Sequence, residues 1–124
     1  MSDALRLFGT RVIVTSAADG IGEAIVRTFA KQGAEIVAVD KPDSGIDTLF
    51  RGLKDVTAMS SSMSDPQAVK ALVKDARDEF GGIDVVINNG YLQPTTPIDD
   101  TDKEAFDSWM DRKIGRYSVL ARAA

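Results

Sequence analysis

Cysteine and histidine are both absent from the 124 residues of the chain. Without cysteine there are no disulfides and no thiolate metal sites, and without histidine the chain lacks the commonest metal ligand and the commonest general base. Any catalysis would therefore depend on lysine, tyrosine, serine or carboxylate side chains. The sequence predicts no metal site.

Long apolar runs and long basic runs are missing as well. No run of about 18 apolar residues is present that could span a membrane. The N-terminus, MSDALRLFG, lacks the basic head and apolar stretch of a secretory signal. These absences predict a cytoplasmic protein without membrane contacts. The net charge of -4 gives no electrostatic reason to expect a nucleic-acid partner.

What the sequence does contain is the composition of one globular domain over residues 1–124, with 44% hydrophobic and 27% charged residues. Short β-branched runs alternate with helical patterns, and this alternation is typical of β-α-β units. The predicted strands cover residues 11–15, 36–40, 56–59 and 83–88.

Helices are predicted between these strands. The first begins at Gly20 and ends before Gly33, a weaker one covers 46–53, and a third begins after the N-cap Asp65 and ends at Gly81. The residues expected on the buried faces are Ile21, Ala24, Ile25, Thr28 and Phe29 in the first helix, and Val69, Leu72, Val73, Ala76 and Phe80 in the third.

A last helix is predicted from a capping box of Thr101 and Glu104. Its pattern runs through Phe106, Trp109, Met110, Tyr117 and Leu120 and continues to Ala124. This helix follows the fourth strand, and we expect it to pack against the sheet.

Joined by right-handed crossovers, four such strands form a parallel sheet in the spatial order 3-2-1-4 with helices on both faces. The predicted fold class is therefore α/β, with a Rossmann-type doubly wound sheet. In this order the strand at 83–88 lies at an edge, although its apolar character suits a strand flanked on both sides. We expect a second chain, or residues outside this sequence, to cover it.

The stretch VTSAADGIG, residues 14–22, joins the first strand to the first helix. Helix N-termini carry unpaired N–H groups and a partial positive charge, so they bind phosphate without a basic residue. Gly20 would let the backbone approach a ligand, and Gly22 would let the helix pack on the strand. The Asp40 carboxylate, about 20 residues further on, would reach a ribose. Alternatively, the glycines only make a tight turn and Asp40 is solvated.

Several ordered motifs resemble the short-chain dehydrogenases/reductases along nearly the whole chain. VTSAADGIG is similar to the family's Thr-Gly-x-x-x-Gly-x-Gly loop through Thr15, Gly20 and Gly22. SMSDPQAVKALV (62–73) resembles the family's third-strand stretch, and INN (87–89) resembles its Asn-Asn-Ala-Gly motif. The resemblance implies a nicotinamide cofactor and hydride transfer to or from an alcohol or carbonyl.

The resemblance also implies a set of cofactor-binding residues. They are Thr15, Ser16, Asp19, Gly20, Ile21, Gly22, Asp40, Ser62, Met63, Asn89 and Gly90. NAD is favoured over NADP, because Asp40 would hydrogen-bond the 2′-hydroxyl of NAD but repel the 2′-phosphate of NADP. Asp19 adds to that repulsion, whereas Lys41 could offset it.

Three positions depart from the family pattern within these motifs. Ser16 replaces the first glycine of the loop, and a serine in a left-handed conformation costs on the order of 1 kcal/mol. Ser62 stands where the family has an aspartate beside the adenine, although Met63 could still pack on the ring. Gly90 and Tyr91 replace the family's Ala-Gly pair, or else one residue of the motif is lost, and Tyr91 could plug the cofactor site or simply pack in a loop.

The family's catalytic serine and Tyr-x-x-x-Lys pair would follow Ala124 and are not in this sequence. Tyr91 and Tyr117 are the only tyrosines, and neither has a lysine four residues later, so no catalytic residue is predicted. A gapless match of the last helix puts Lys113 at the family's catalytic asparagine. The simplest interpretation of Lys113 is a solvated helix residue.

Two hypotheses fit these observations. In the first, the chain is the NAD(H)-binding part of a short-chain oxidoreductase whose catalytic residues lie outside this sequence. In the second, it is a pseudoenzyme that binds an active subunit through the open sheet edge and the last helix. The predicted partner is a second copy of the chain or a related subunit.

Overall fold

A four-stranded parallel sheet forms the centre of the fold. The structure, a computed structural model, describes residues 6–18, 20–90 and 96–124. The strands are β1 (Arg11–Thr15), β2 (Glu35–Asp40), β3 (Val56–Ser60) and β4 (Val85–Ile87). They pair in the spatial order β3-β2-β1-β4, which confirms the predicted order and the Rossmann-type fold class.

Helices connect and flank the strands. In chain order they are α1 (Gly20–Lys31), α2 (Ile46–Leu49), α3 (Pro66–Phe80), α4 (Lys103–Met110) and α5 (Arg116–Ala123). A 3-10 turn, Ile98–Asp100, precedes α4, and a π-helical turn, Asp111–Gly115, joins α4 to α5. None of the helices in the described ranges has the length and apolar character that a membrane crossing needs.

The two central strands are buried on both faces, because alternate side chains point to opposite helix layers. On one face the buried cluster includes Val12, Val14, Ile36 and Ala38 of the strands with Val26 of α1 and Ile46 of α2. On the other face it comprises Ile13, Val37 and Val39 with Leu72 and Ala76 of α3. Leu120 of α5 packs beside them on Val69 and Val73. The sheet is therefore doubly wound, as predicted.

The buried face of α1 differs from the prediction. Val26 is fully buried, and Ile25 and Phe29 are half-buried against the same cluster. Exposed instead are Ile21, Ala24 and Thr28. The helix is rotated because Gly22, at its start, packs directly on the turn that leaves β1.

The start of α3 confirms the sequence prediction. Asp65 caps the helix, and its Oδ1 accepts a hydrogen bond from the backbone N–H of Gln67 at 2.9 Å. The helix ends at Gly81, whose φ of 79° is left-handed. The predicted helix over 46–53 is shorter, since α2 ends at Leu49 and Gly52 then adopts a left-handed φ of 89°.

The predicted capping box of Thr101 and Glu104 is wrong. The N-cap of α4 is Asp102, whose Oδ1 accepts from the N–H of Ala105 at 2.8 Å. The Thr101 hydroxyl instead donates to the carbonyl of Pro97 at 2.8 Å. A carboxylate one residue further on thus replaces the predicted hydroxyl as the cap.

An ion pair joins the amino ends of β1 and β4. The backbone N–H and Nε of Arg11 both donate to Asp84 Oδ2 at 2.9 Å, and Nη2 donates to Oδ1 at 3.0 Å. A Cβ at Gly82 would lie 2.6 Å from Arg11 Nη1, so glycine leaves room for the guanidinium. The hydrogen bonds from Arg11 lower the pKa of Asp84 from 3.8 to about 2.

We expect Asp84→Asn to destabilise the chain at neutral pH. The pKa of Asp84 is lower in the folded chain than its ordinary value of 3.8, so its stabilisation is complete above that value and is lost as the pH falls towards 2. The melting temperatures of wild type and variant should therefore converge between about pH 4 and pH 2. Thermal melts by circular dichroism check this, with Asp78→Asn, which removes an exposed helix-surface pair, as the control. A difference in melting temperature between wild type and Asp84→Asn that stays constant from about pH 4 to pH 2 would contradict this prediction.

Candidate functional site

The carboxyl ends of the strands meet at one edge of the sheet, and the predicted nucleotide loop lies at this edge. β1 stands between β2 and β4, so the connections on its two sides run to opposite faces of the sheet. In open α/β sheets ligands bind at such a switch point. A cleft of about 110 Å³ opens here. It is lined by Thr15, Ser16, Met63, Asn88 and Gly90, and by Arg112, Lys113, Arg116 and Tyr117 of the last helices.

The main chain turns sharply as it leaves β1. Ser16 has a φ of 51°, in the left-handed region, so the strain expected of a serine at this position is present. The buried hydroxyl of Thr15 donates to the carbonyl of Ile87 at 3.3 Å and accepts from the N–H of Asn89 at 3.0 Å. Thr15 therefore fastens the end of β1 to the segment that follows β4.

The two glycines at the start of α1 meet different requirements. A Cβ at Gly22 would lie 2.0 Å from the carbonyl oxygen of Ser16, so only glycine fits there. That same oxygen accepts from Asn89 Nδ2 at 3.3 Å. Gly20 has a left-handed φ of 56°, and among the described residues no heavy atom outside its chain neighbours comes within 4 Å of a Cβ built on it. Gly22 thus provides close packing, and Gly20 provides an open, left-handed turn.

The Asp40 carboxylate ties the same loop to the end of β2. Its Oδ2 accepts from the N–H of Ala18 at 3.0 Å, and its Oδ1 accepts from the N–H of Lys41 at 2.7 Å. Asp40 is half-buried, so it is not the fully solvated residue of the alternative interpretation. Each carboxylate oxygen keeps a second lone pair, which leaves capacity to accept a ribose hydroxyl.

Hydrogen bonds from the Tyr117 side chain hold the segment after β4 in place. Its hydroxyl donates to the carbonyl of Gly90 at 2.6 Å and accepts from the N–H of Gly90 at 2.7 Å. A Cβ at Gly90 would lie 2.7 Å from the phenol ring, so the glycine makes room for it. The sequence predicts Tyr117 on the last helix, without a lysine that would make it a catalytic residue, but does not predict this contact. The available signal was the glycine after the Asn-Asn pair, which leaves space for a ring.

Three basic residues of the last helices complete the cleft. Arg112 and Lys113 belong to the π-helical turn, and Arg116 begins α5. Lys113 is half-buried, and its Nζ lies 5.4 Å from the centroid of the Trp109 ring. The interpretation of Lys113 as a solvated helix residue is therefore wrong.

The predicted cofactor residues fall into separate groups. Those that line the cleft are Thr15, Ser16, Met63 and Gly90. Those that belong to the bordering loop or contact it are Gly20, Ile21, Gly22, Asp40 and Asn89. Ser62 is exposed, and its hydroxyl lies 2.8 Å from that of Ser64. Asp19 and Tyr91 lie outside the described residues.

A parallel sheet in this order, a glycine turn after β1 and an acidic residue ending β2 define a Rossmann-type α/β fold. The family model described as short chain dehydrogenase matches residues 10–124. The chain therefore belongs to the short-chain dehydrogenase family, a family of nicotinamide-dependent oxidoreductases.

Individual relatives agree with this assignment. An L-fucose dehydrogenase from Oryctolagus cuniculus is 32% identical over 125 residues, which cover 99% of this chain and 44% of that protein. A 3-oxoacyl-(acyl-carrier-protein) reductase from Vibrio cholerae is 34% identical over 120 residues, covering 96% and 49%. A solved short chain dehydrogenase from Burkholderia cenocepacia in complex with NADP superposes with a TM-score of 0.83 at 27% identity, covering 96% and 51%. The chain spans about half the length of these relatives.

Proposed function

We propose that this chain forms the NAD(H)-binding portion of an oxidoreductase that transfers hydride between nicotinamide and an alcohol or carbonyl. The observation that carries this proposal is the geometry at the start of α1. Ser16 and Gly20 have left-handed φ values and Gly22 packs on the Ser16 carbonyl, so the 12-residue helix α1 begins directly beside the end of β1. The N–H groups of its first turn have no intrahelical partners and are available to a diphosphate.

The diphosphate, a ribose and the adenine of the cofactor each have a candidate contact in this chain. The start of α1 would hold the diphosphate, Asp40 would accept a ribose hydroxyl, and Met63, which lines the cleft, would pack on the adenine. The bound nicotinamide supplies or accepts the hydride. Tyr117 is the phenol of the described cleft, and Gly90 engages its hydroxyl as both donor and acceptor. We therefore assign Tyr117 a structural role, and the proton donor comes from outside the described site.

NAD is the proposed cofactor because of Asp40. A carboxylate at the end of β2 favours the 2′-hydroxyl of NAD and opposes the 2′-phosphate of NADP. The solved relative is in complex with NADP, so this preference depends on Asp40 of the present chain and is not carried over from that structure.

A second candidate is a non-catalytic subunit that docks on an active partner or on a second copy. Phe106 and Ile114, on α4 and the π-helical turn, are 49% and 51% exposed. Within the described residues, β4 pairs only with β1, so its outer edge is unpaired. Both features suit an oligomer contact. The cytoplasmic location stays a prediction from the sequence.

Cofactor titration tests the first proposal. NADH, NADPH and AMP are added to the full chain while Trp109 fluorescence is followed, with calorimetry as a second measurement. We expect saturable NADH binding with a Kd below about 1 mM, and weaker binding of NADPH. Absence of NADH binding at millimolar concentration would overturn the cofactor proposal. Light scattering of the same samples then tests the subunit candidate, which requires an oligomer or a captured related chain.

A further inference from the structure

The cleft beside the nucleotide loop has one strongly basic wall. Arg112 and Lys113 lie in the π-helical turn, and Arg116 follows it as the first residue of α5. All three line the cleft, opposite the end of β1 at Thr15 and Ser16. Acidic residues outnumber basic residues in the chain, 19 to 15, so three adjacent cations here are a local exception to its charge.

None of these cations is neutralised by a carboxylate within the described ranges. The ion pairs found there belong to Arg11, Arg27, Lys74 and Lys103. Arg112 Nε donates to the carbonyl of Ser108 at 3.4 Å, and Lys113 lies over the Trp109 ring. Asp111, their nearest acidic neighbour in the sequence, forms no ion pair with them. Three like charges therefore line one small cleft, and no carboxylate of the described residues forms an ion pair with them.

Like charges this close repel one another, and an anion in the cleft would relieve that repulsion, although Arg112 is itself exposed to solvent. Guanidinium groups present several N–H donors in a fixed plane and bind phosphate and carboxylate groups in bidentate fashion. Lys113 and Arg116 are half-buried, which weakens solvent screening of their charges relative to an exposed helix surface. The arrangement suits an oxyanion whose remaining atoms extend towards the strand ends.

We propose that Arg112, Lys113 and Arg116 form an oxyanion subsite that binds a phosphate or carboxylate group. The group comes either from the nucleotide or from an acidic substrate bound beside it. The identity of the natural ligand rests on the proposed function, but binding of a simple oxyanion does not require that NAD bind. The two proposals can therefore fail separately.

The test uses inorganic phosphate as the probe on the full chain at low ionic strength. Trp109 fluorescence reports binding because the Lys113 Nζ lies 5.4 Å from its ring, and calorimetry supplies an independent Kd. The double variant R112Q/R116Q removes two charges from the cleft. The control R51Q/K54Q removes two charges from exposed residues between α2 and β3. Circular dichroism melts establish that both variants fold.

We expect phosphate to bind wild type and the control equally, and the cleft variant at least about ten-fold more weakly, because a charge-assisted hydrogen bond is lost at each guanidinium. Absence of saturable phosphate binding to wild type, or an equal loss in the control, would overturn the subsite. Repeating the titration with saturating NADH separates the sources. Competition assigns the subsite to a nucleotide phosphate, and independent binding assigns it to an acidic substrate. If phosphate binds but NADH does not, the subsite proposal stands and the cofactor proposal is overturned.

Discussion

Gly22→Ala is expected to lower the free energy of unfolding by about 3 kcal/mol and to abolish NADH binding, because the new methyl group has no space. Its Cβ would lie 2.0 Å from the carbonyl oxygen of Ser16 and 2.8 Å from Asn89 Nδ2. The first of these atoms belongs to the backbone and cannot rotate away. Relief therefore requires that α1 move from the end of β1, which displaces the N–H groups proposed to hold the diphosphate.

Gly20→Ala is the matched control, since the same methyl group is added two residues earlier. Among the described residues nothing outside the chain neighbours crowds a Cβ at Gly20, but its φ of 56° is left-handed, so the cost is conformational and about 1 kcal/mol. Urea denaturation followed by circular dichroism gives both free energies, and NADH titration gives both affinities. Equal destabilisation by the two substitutions, or a loss below about 1 kcal/mol for Gly22→Ala, would contradict the packing explanation.

The sheet could be predicted from the sequence because its central strands are continuous apolar runs. RVIVT and the run ending at Asp40 carry polar residues only at their ends, and a strand whose interior positions are all apolar must be covered on both sides. Strand order then followed from the handedness of the crossovers. The rotation of α1 could not be predicted in this way. Val26 is buried in place of Ala24 and Thr28 because contact at Gly22, and not the count of apolar residues, sets the helix orientation.

The last helix shows a second limit of pattern reasoning. The π-helical turn Asp111–Gly115 widens one turn, so a period of 3.6 residues cannot be extended from α4 into α5. Lys113 consequently faces the cleft and the Trp109 ring, where the pattern had left it in solvent. Leu120 was still predicted on the pattern because it is apolar, and it is fully buried against α3.

The loop after β1 was the most predictable part of the candidate site. The hydrogen bonds that hold the neighbouring segment after β4 in place were the least predictable. Ser16 and Gly20 adopt left-handed φ values, and Gly22 lies where no side chain fits, so a glycine pattern in the sequence points to this turn. The hydrogen bonds between Tyr117 and Gly90 join residues 27 positions apart. No local pattern encodes such a pair, since it depends on how α5 packs on the sheet.

Asp40→Asn is expected to reverse the proposed preference for NADH over NADPH. The substitution removes the negative charge that would repel a 2′-phosphate and one of the two oxygens that accept hydrogen bonds. Loss of a charge-assisted hydrogen bond to the ribose should weaken NADH binding about ten-fold, while NADPH is relieved of repulsion. Parallel titrations of both cofactors on wild type and variant measure the ratio of their Kd values.

The ratio of the NADH and NADPH Kd values is the informative quantity. Asp40 is proposed to contact the ribose and also anchors the loop, and the affinity for one cofactor alone cannot separate these two roles. Its carboxylate also accepts from the N–H groups of Ala18 and Lys41, so Asp40→Asn loosens the loop and weakens both cofactors together. Asp43→Asn is the control, since it removes the same charge from an exposed residue whose left-handed φ of 68° asparagine tolerates. An equal loss for NADH and NADPH in Asp40→Asn would show that Asp40 only anchors the loop. A matching change of the ratio in Asp43→Asn would assign the preference to net charge and not to a contact with the ribose.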